Sequence, residues 1–100
     1  MTITIRRLRA ERRTIVLVSG AVDGTAVPSL RRALAKALRT RAPILVDLTR
    51  ATSIHPTGVA ALVDAHKRAE RAGTSLLLRT EPTQIRTVLA AFDIPPETPH

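Results

Sequence analysis

The run from Ile44 to Gly58 constrains this chain more than any other. Ile44-Leu45-Val46-Asp47-Leu48 is apolar on both faces apart from one acid, the signature of a strand buried in a sheet. Thr49 to Ser53 is polar and reads as a loop, followed by a single apolar residue, Ile54. His55-Pro56-Thr57-Gly58 then opens a long amphipathic segment. Proline fixes the backbone for a first helical turn and keeps the residue before it extended. A buried strand leading through a short corner into a helix demands an α/β layer structure. It also leaves the helix N-terminus exposed at that corner, where charge and modification are felt most strongly.

The rest of the chain fits the same plan. Thr2 to Leu8 alternates, with Ile3 and Ile5 on one side and Thr2, Thr4 and Arg6 on the other, as in a half-buried edge strand. Glu11-Arg12-Arg13 is a turn, and Thr14 to Ser19 is a buried strand that Gly20 is expected to end. Asp23-Gly24-Thr25 starts a helix with Pro28 in its first turn, and Val27, Leu30, Leu34, Ala37 and Leu38 share its inner side. The second helix starts near Thr57, with Val59, Leu62, Val63 and His66 on one face and Gly73 at its stop. Ser75 to Leu78 is another buried strand, and Pro82 opens a third helix with Ile85, Val88, Leu89 and Phe92 inward. The expected fold is α/β: a small mixed sheet of about four strands with helices packed on it, in the order β-β-α-β-α-β-α. Residues 1–94 are expected to form one domain and residues 95–100, rich in proline, a flexible tail.

Composition narrows the chemistry. Phe92 is the only aromatic residue, so the core is aliphatic. The absence of cysteine removes disulfides, thiolate chemistry and cysteine zinc sites, in keeping with a cytoplasmic setting. No apolar run approaches the ~18 residues of a membrane span, and no signal peptide is expected. Lys plus Arg number 16 against 8 acids, giving a net charge of +8, and all but Lys36 and Lys67 are arginine. Such a balance favours acidic partners, nucleic acid among them. Against nucleic acid stand the missing stacking aromatics and the lack of a helix-turn-helix or zinc module.

No catalytic constellation assembles from these residues. Asp47 closes a strand at its carboxyl end, where α/β sheets hold ligands, and Asp23 lies in the loop before the first helix, yet neither has a sequence-linked second carboxylate. Gly24 and Gly58 are isolated and do not form a phosphate loop. His55 has no partner at metal-ligand spacing and reads as an exposed loop histidine, and His66 as a partly buried helix residue. No metal, cofactor or enzymatic activity is expected. Thr57 has two roles open to it, capping the helix through its hydroxyl or serving as a modifiable hydroxyl.

Three stretches resemble the STAS domain, the fold of bacterial anti-sigma factor antagonists and of sulfate-transporter tails. They are Val18-Ser19-Gly20-Ala21-Val22-Asp23, Ile44 to Leu48 with Ile54 to Gly58, and Ala65 to Gly73 followed by Leu76-Leu77-Leu78. The resemblance runs to about Ile94. It implies a regulatory module that binds an anti-sigma factor or histidine-kinase-like protein and so modulates transcription. In that family a kinase phosphorylates the first Ser of an Asp-Ser-Ser-Gly or Asp-Ser-Thr-Gly turn, and binding ends. Here His55 stands at the Asp position and Pro56 at the acceptor position, leaving Thr57 and Gly58 matched. Pro56 has no hydroxyl, so Thr57 is the remaining candidate acceptor. The implied contact surface is Asp23, Gly24, Thr25, Ser53, His55, Pro56, Thr57, Gly58 and Val59. A scaffold or transporter-associated STAS subunit, or a basic nucleic-acid-binding module, is the alternative, and the oligomeric state is open.

Overall fold

A computed structural model of the chain describes residues 1–80. The expected third helix from Pro82 and the tail at 95–100 lie outside these residues. Six elements run in chain order: β1 (Thr2–Leu8), β2 (Arg13–Val22), α1 (Val27–Arg39), β3 (Ile44–Ile54), α2 (Pro56–Arg71) and β4 (Leu76–Arg79). The strands form one mixed sheet in the order β1-β2-β3-β4. β1 and β2 are an antiparallel hairpin, closed by a turn in which Arg12 takes φ 54° and its N–H donates to Arg9 O at 3.2 Å. β2–β3 and β3–β4 are parallel. This is the α/β architecture expected, with the expected order as far as it is described.

The register explains the core. Ile5 pairs Val16, Val16 pairs Val46 and Val46 pairs Leu78, so one row of aliphatic side chains crosses all the strands on a single face. Both helices pack there through alanine and leucine: Leu30, Ala33, Leu34 and Ala37 from α1, and Ala61, Leu62, Ala65 and Ala69 from α2. Each fully buried leucine, such as Leu30 or Leu62, contributes about 1.5–3 kcal/mol. Thr14 is a fully buried polar residue at the edge of this core. Thr14 donates its hydroxyl to Thr40 Oγ1 at 2.8 Å, and Thr40 donates in turn to Ala37 O at 2.7 Å, closing the last turn of α1. Thr14 must be the donor because Thr40 spends its own proton on the carbonyl.

Helix α2 stops as its sequence demands. Gly73 adopts φ 78°, its N–H donates to Glu70 O at 3.1 Å, and the Thr74 N–H donates to Ala69 O at 2.9 Å, the paired bonds of a left-handed C-cap. Behind it, His66 Nδ1 lies 3.1 Å from Leu76 O. A carbonyl only accepts, so Nδ1 carries the proton and ties α2 to β4.

Three boundaries differ from the sequence reading. Gly20 does not end β2; it sits inside the strand at φ 83°, and β2 continues to Val22. β3 does not stop at Leu48 but runs through the polar stretch to Ile54. α1 begins at Val27, so Asp23-Gly24-Thr25 is the turn before it and not its first residues. In the two strands, pairing carries on past residues that local propensity reads as a stop.

Candidate functional site at the start of the second helix

β2 and β3 end side by side, with Val22 paired to Ile54, and the His55 N–H donates to Val22 O at 2.7 Å. That bond pins the entry of α2 against the exit of β2. The turn Asp23–Thr25 and the corner Ser53–Thr57 therefore share one end of the sheet. Asp23, Gly24, Thr25, Ser53, His55, Pro56 and Thr57 are all exposed. Gly58 and Val59, expected in the contact surface, are buried beneath the corner, Val59 at 0% exposure, and so cannot meet a partner directly. They join the helix to the core.

The corner is built by Pro56 and His55 together. His55 is held extended at φ −71°, ψ 148°, as a residue before proline must be. Its backbone carbonyl accepts from the N–H groups of Gly58 (2.8 Å) and Val59 (3.1 Å), and its ring Nδ1 accepts from the N–H of Thr57 at 3.1 Å. The helix cap is thus the His55 imidazole, where Thr57 was expected to serve. The Thr57 hydroxyl instead lies 2.8 Å from the same Nδ1. Since Nδ1 accepts from the Thr57 N–H, it has no proton of its own to give, and the hydroxyl points its proton at the ring. A threonine oxygen beside an unprotonated imidazole nitrogen is a hydroxyl with a base at hand.

The neighbouring turn is held by Asp23. Its Oδ1 accepts from Thr25 Oγ1 at 2.7 Å and from the Ala26 N–H at 3.0 Å. These two bonds, the threonine hydroxyl first, hold the carboxyl below the usual aspartate range. Asp23 thereby satisfies an N–H at the start of α1 that Ala26, lacking a polar side chain, cannot. Asp47 is not part of the corner. It lies within β3, where Oδ1 accepts from Thr49 N (2.9 Å) and Thr49 Oγ1 (2.6 Å), and Oδ2 lies 3.7 Å from Arg79 Nη1. His66 stands away from His55, with Nε2 at 3.2 Å from Glu70 Oε1. Among the described residues no group of three or more His, Asp or Glu is placed to hold a metal, and no helix is long and apolar enough to cross a membrane.

The family model described as Mlab, STAS domain, matches residues 5–95. The chain belongs to the STAS domain family. Its fold is similar to that of the anti-sigma factor antagonist SpoIIAA in its unphosphorylated form, with TM-score 0.78 and 16% identity over 99% of this chain and 89% of that one. It is equally similar to an anti-sigma factor antagonist from Mycobacterium paratuberculosis, with TM-score 0.78 and 19% identity over 92% of this chain and 79% of that one. The murine anion transporter Slc26a9 contains a similar unit, with TM-score 0.67 and 17% identity over 80% of this chain but only 14% of the transporter. At these identities the likeness is one of fold. No curated protein matches the chain in sequence.

Proposed function

We propose that this STAS domain is a regulatory protein-binding module of the anti-sigma factor antagonist kind, docking through the corner where α2 begins. The observation that carries the reading is the exposed, rigid corner itself: Pro56 and the His55 cap fix its shape, and the bond from His55 N–H to Val22 O sets Asp23–Thr25 beside it. Ser53, His55, Pro56 and Thr57 with Asp23, Gly24 and Thr25 form the contact surface. The partner is an anti-sigma factor or a histidine-kinase-like regulator, and its capture in the cytoplasm alters transcription. The domain spans residues 1–94, with 95–100 as its tail. It is a binding module and not an enzyme.

The same reading assigns Thr57 as the modifiable hydroxyl, because Pro56 has none to offer. A partner kinase transfers the γ-phosphoryl group of ATP to Thr57 Oγ1, and the hydroxyl proton passes to His55 Nδ1, 2.8 Å away. A phosphate there gains from the helix N-terminus yet adds about −1.5 to −2 charge to the docking surface, which expels an apolar or acidic contact.

The test is affinity capture from the source cells with the wild-type chain and with Ser53→Arg, followed by incubation of the captured complex with ATP. Recovery of a regulator of this kind by the wild type alone, with phosphate on Thr57, is the expected outcome. A regulator held equally by Ser53→Arg moves the docking surface elsewhere, and phosphate on another residue removes Thr57 from its role. The likeness to a unit within Slc26a9 favours a second reading, a subunit of a transport or scaffold assembly. Capture of membrane transport components in place of a regulator distinguishes it.

A further inference from the structure

The end of the sheet remote from the corner is lined with arginine. The hairpin turn between β1 and β2 holds Arg9 and Arg12, the connection from α1 to β3 holds Arg41, and Arg39 and Arg71 are the last residues of the two helices. Arg7 lies near the end of β1, with Nη1 3.5 Å from Thr14 Oγ1. Three bonds lace these segments into one surface: Thr14 Oγ1 to Thr40 Oγ1 at 2.8 Å, Thr14 N–H to Pro43 O at 2.9 Å and Ile44 N–H to Ser75 O at 2.8 Å. All six arginines are exposed, and among the described residues none has a carboxylate within ion-pair distance. Glu11, the acid of the hairpin turn, is taken by Arg13 at 2.7 Å. The corner segments, 23–25 and 53–57, contain no lysine or arginine. Charge is therefore polarised along the strand direction.

Local roles account for only part of this cluster. Both helices end here, and cations favour a helix C-terminus, which explains Arg39 and Arg71. Each C-terminus carries about half a negative charge, so the pair offsets about one of the six cations. Arg12 and Arg41 stand out further. At φ 54° and 58° they are the non-glycine residues in the left-handed region among the described residues. Glycine or asparagine serves such positions with less strain. Two long cations are held there against that preference, and strain of this kind collects where a side chain is used.

We propose that this end of the domain binds the phosphate backbone of a nucleic acid duplex without reading its sequence. A guanidinium fork matches the oxygens of a phosphate two N–H groups at a time. A duplex presents one negative charge per about 1.7 Å of its axis, so several arginines can be engaged at once. The rival occupants lack what they need. A protein partner or a membrane requires an apolar centre to bury. Among the described residues the exposed large apolar side chain is Met1, which precedes β1 at the corner's end of the sheet. A single strand requires aromatic rings for stacking, and this end has none. A second copy would set arginine against arginine. The surface shares no residue with the corner and stands or falls without it.

The test uses the full chain and a fluorescein-labelled DNA duplex of about 20 base pairs, read by fluorescence anisotropy over a salt series. The wild type should bind saturably, with a slope of log K against log salt between about −3 and −5, at about 0.9 for each phosphate engaged. The double variant Arg12→Gly with Arg41→Gly removes two cations and relieves both left-handed backbones. Strain relief offsets the freedom that glycine adds to the unfolded chain, so its thermal transition should match the wild type. Its binding should weaken at least about tenfold and its slope should flatten by about 2. Arg32→Gln with Arg50→Gln lowers the net charge equally on exposed residues away from this end and should leave the slope unchanged. No saturable binding, an unaltered slope in the glycine variant, or an equal loss in the control variant overturns the proposal. Tighter binding of the single strand, or displacement of the duplex at lower charge concentration by phosphatidylserine vesicles or by polyglutamate, overturns it in favour of the other occupants.

Discussion

Gly58 is where the corner at the start of α2 meets the core, and replacing it by alanine sets two opposing effects against each other. An alanine in place of glycine restricts the unfolded chain and supports a helix, a gain of about 0.4–1 kcal/mol. The added Cβ, however, would lie 3.1 Å from Val22 Cγ1 and 3.1 Å from Ile54 Cγ1. Ile54 is half-buried and its end can swing away, but Val22 is 0% exposed, β-branched and stiff. Because Val22 cannot yield, the first turn of α2 must move off the sheet, and overpacking of this kind costs about 1–3 kcal/mol. The difference is a net loss of about 1 kcal/mol, or about 4–8 °C in melting temperature for a domain of this size.

Two other glycines calibrate the measurement. A Cβ at Gly24 meets nothing within 4 Å, so Gly24→Ala should be neutral or stabilising by up to about 1 kcal/mol. Gly73 also has free space but sits at φ 78°, so Gly73→Ala should lose about 1 kcal/mol through backbone strain alone. Urea unfolding with equal slopes ranks the three. If Gly58→Ala proves as stable as Gly24→Ala, Val22 gives way after all, and the claim that the corner is rigidly seated on the sheet fails.

Replacing the cap, His55→Ala, should lower stability by about 1 kcal/mol, while His55→Asn should recover most of it, as read by urea unfolding. Thr14→Val removes the proton that Thr40 Oγ1 accepts at 2.8 Å, and a loss of about 1–2 kcal/mol is expected in the same assay. The carboxyl of Asp23 is held low in the folded chain, so its contribution is present above the ordinary aspartate pKa and is lost as pH falls through the lower folded value. Carbon NMR titration should find that low value, and Thr25→Val should raise it.

The element order was legible because the buried runs at Ile15–Val18, Ile44–Leu48 and Leu76–Leu78 are short, aliphatic and separated by helical periodicity. The far half of β3 was not. Its inward residues are Leu48, Ala51 and Ile54, a spacing of three where a strand should show two. The cause is irregular pairing: between Leu17 and Ser19 of β2, β3 advances from Asp47 to Arg50, and between Gly20 and Ala21 it advances from Ala51 to Ser53. Each step places an extra residue in β3, and a bulge resets the alternation on which strand reading depends. Gly20 misled for the same reason, since its φ of 83° serves a strand irregularity and not a terminus. The site was half legible. Pro56 announced the helix start, and position 55 was the cap by geometry, but histidine is not among the usual capping residues and Thr57 drew the assignment instead.

That misassignment bears on how the corner works. One ring nitrogen, His55 Nδ1, accepts both from the Thr57 N–H at 3.1 Å and from the Thr57 hydroxyl at 2.8 Å. The group that stabilises the helix is therefore also the one that faces the Thr57 hydroxyl. A phosphate on Thr57 would forfeit the hydroxyl contact but place negative charge at the N-terminus of α2, where the exposed peptide N–H groups favour it. Stability and binding should then move apart: the phosphorylated domain should unfold at about the urea concentration of the unmodified one, yet lose its partner. Loss of both together would mean that modification undoes the corner and does not merely recharge it. On the proposed function, a corner that survives phosphorylation would act as a switch by changing charge, with the pyrrolidine ring of Pro56 and the Val22 contact holding its shape.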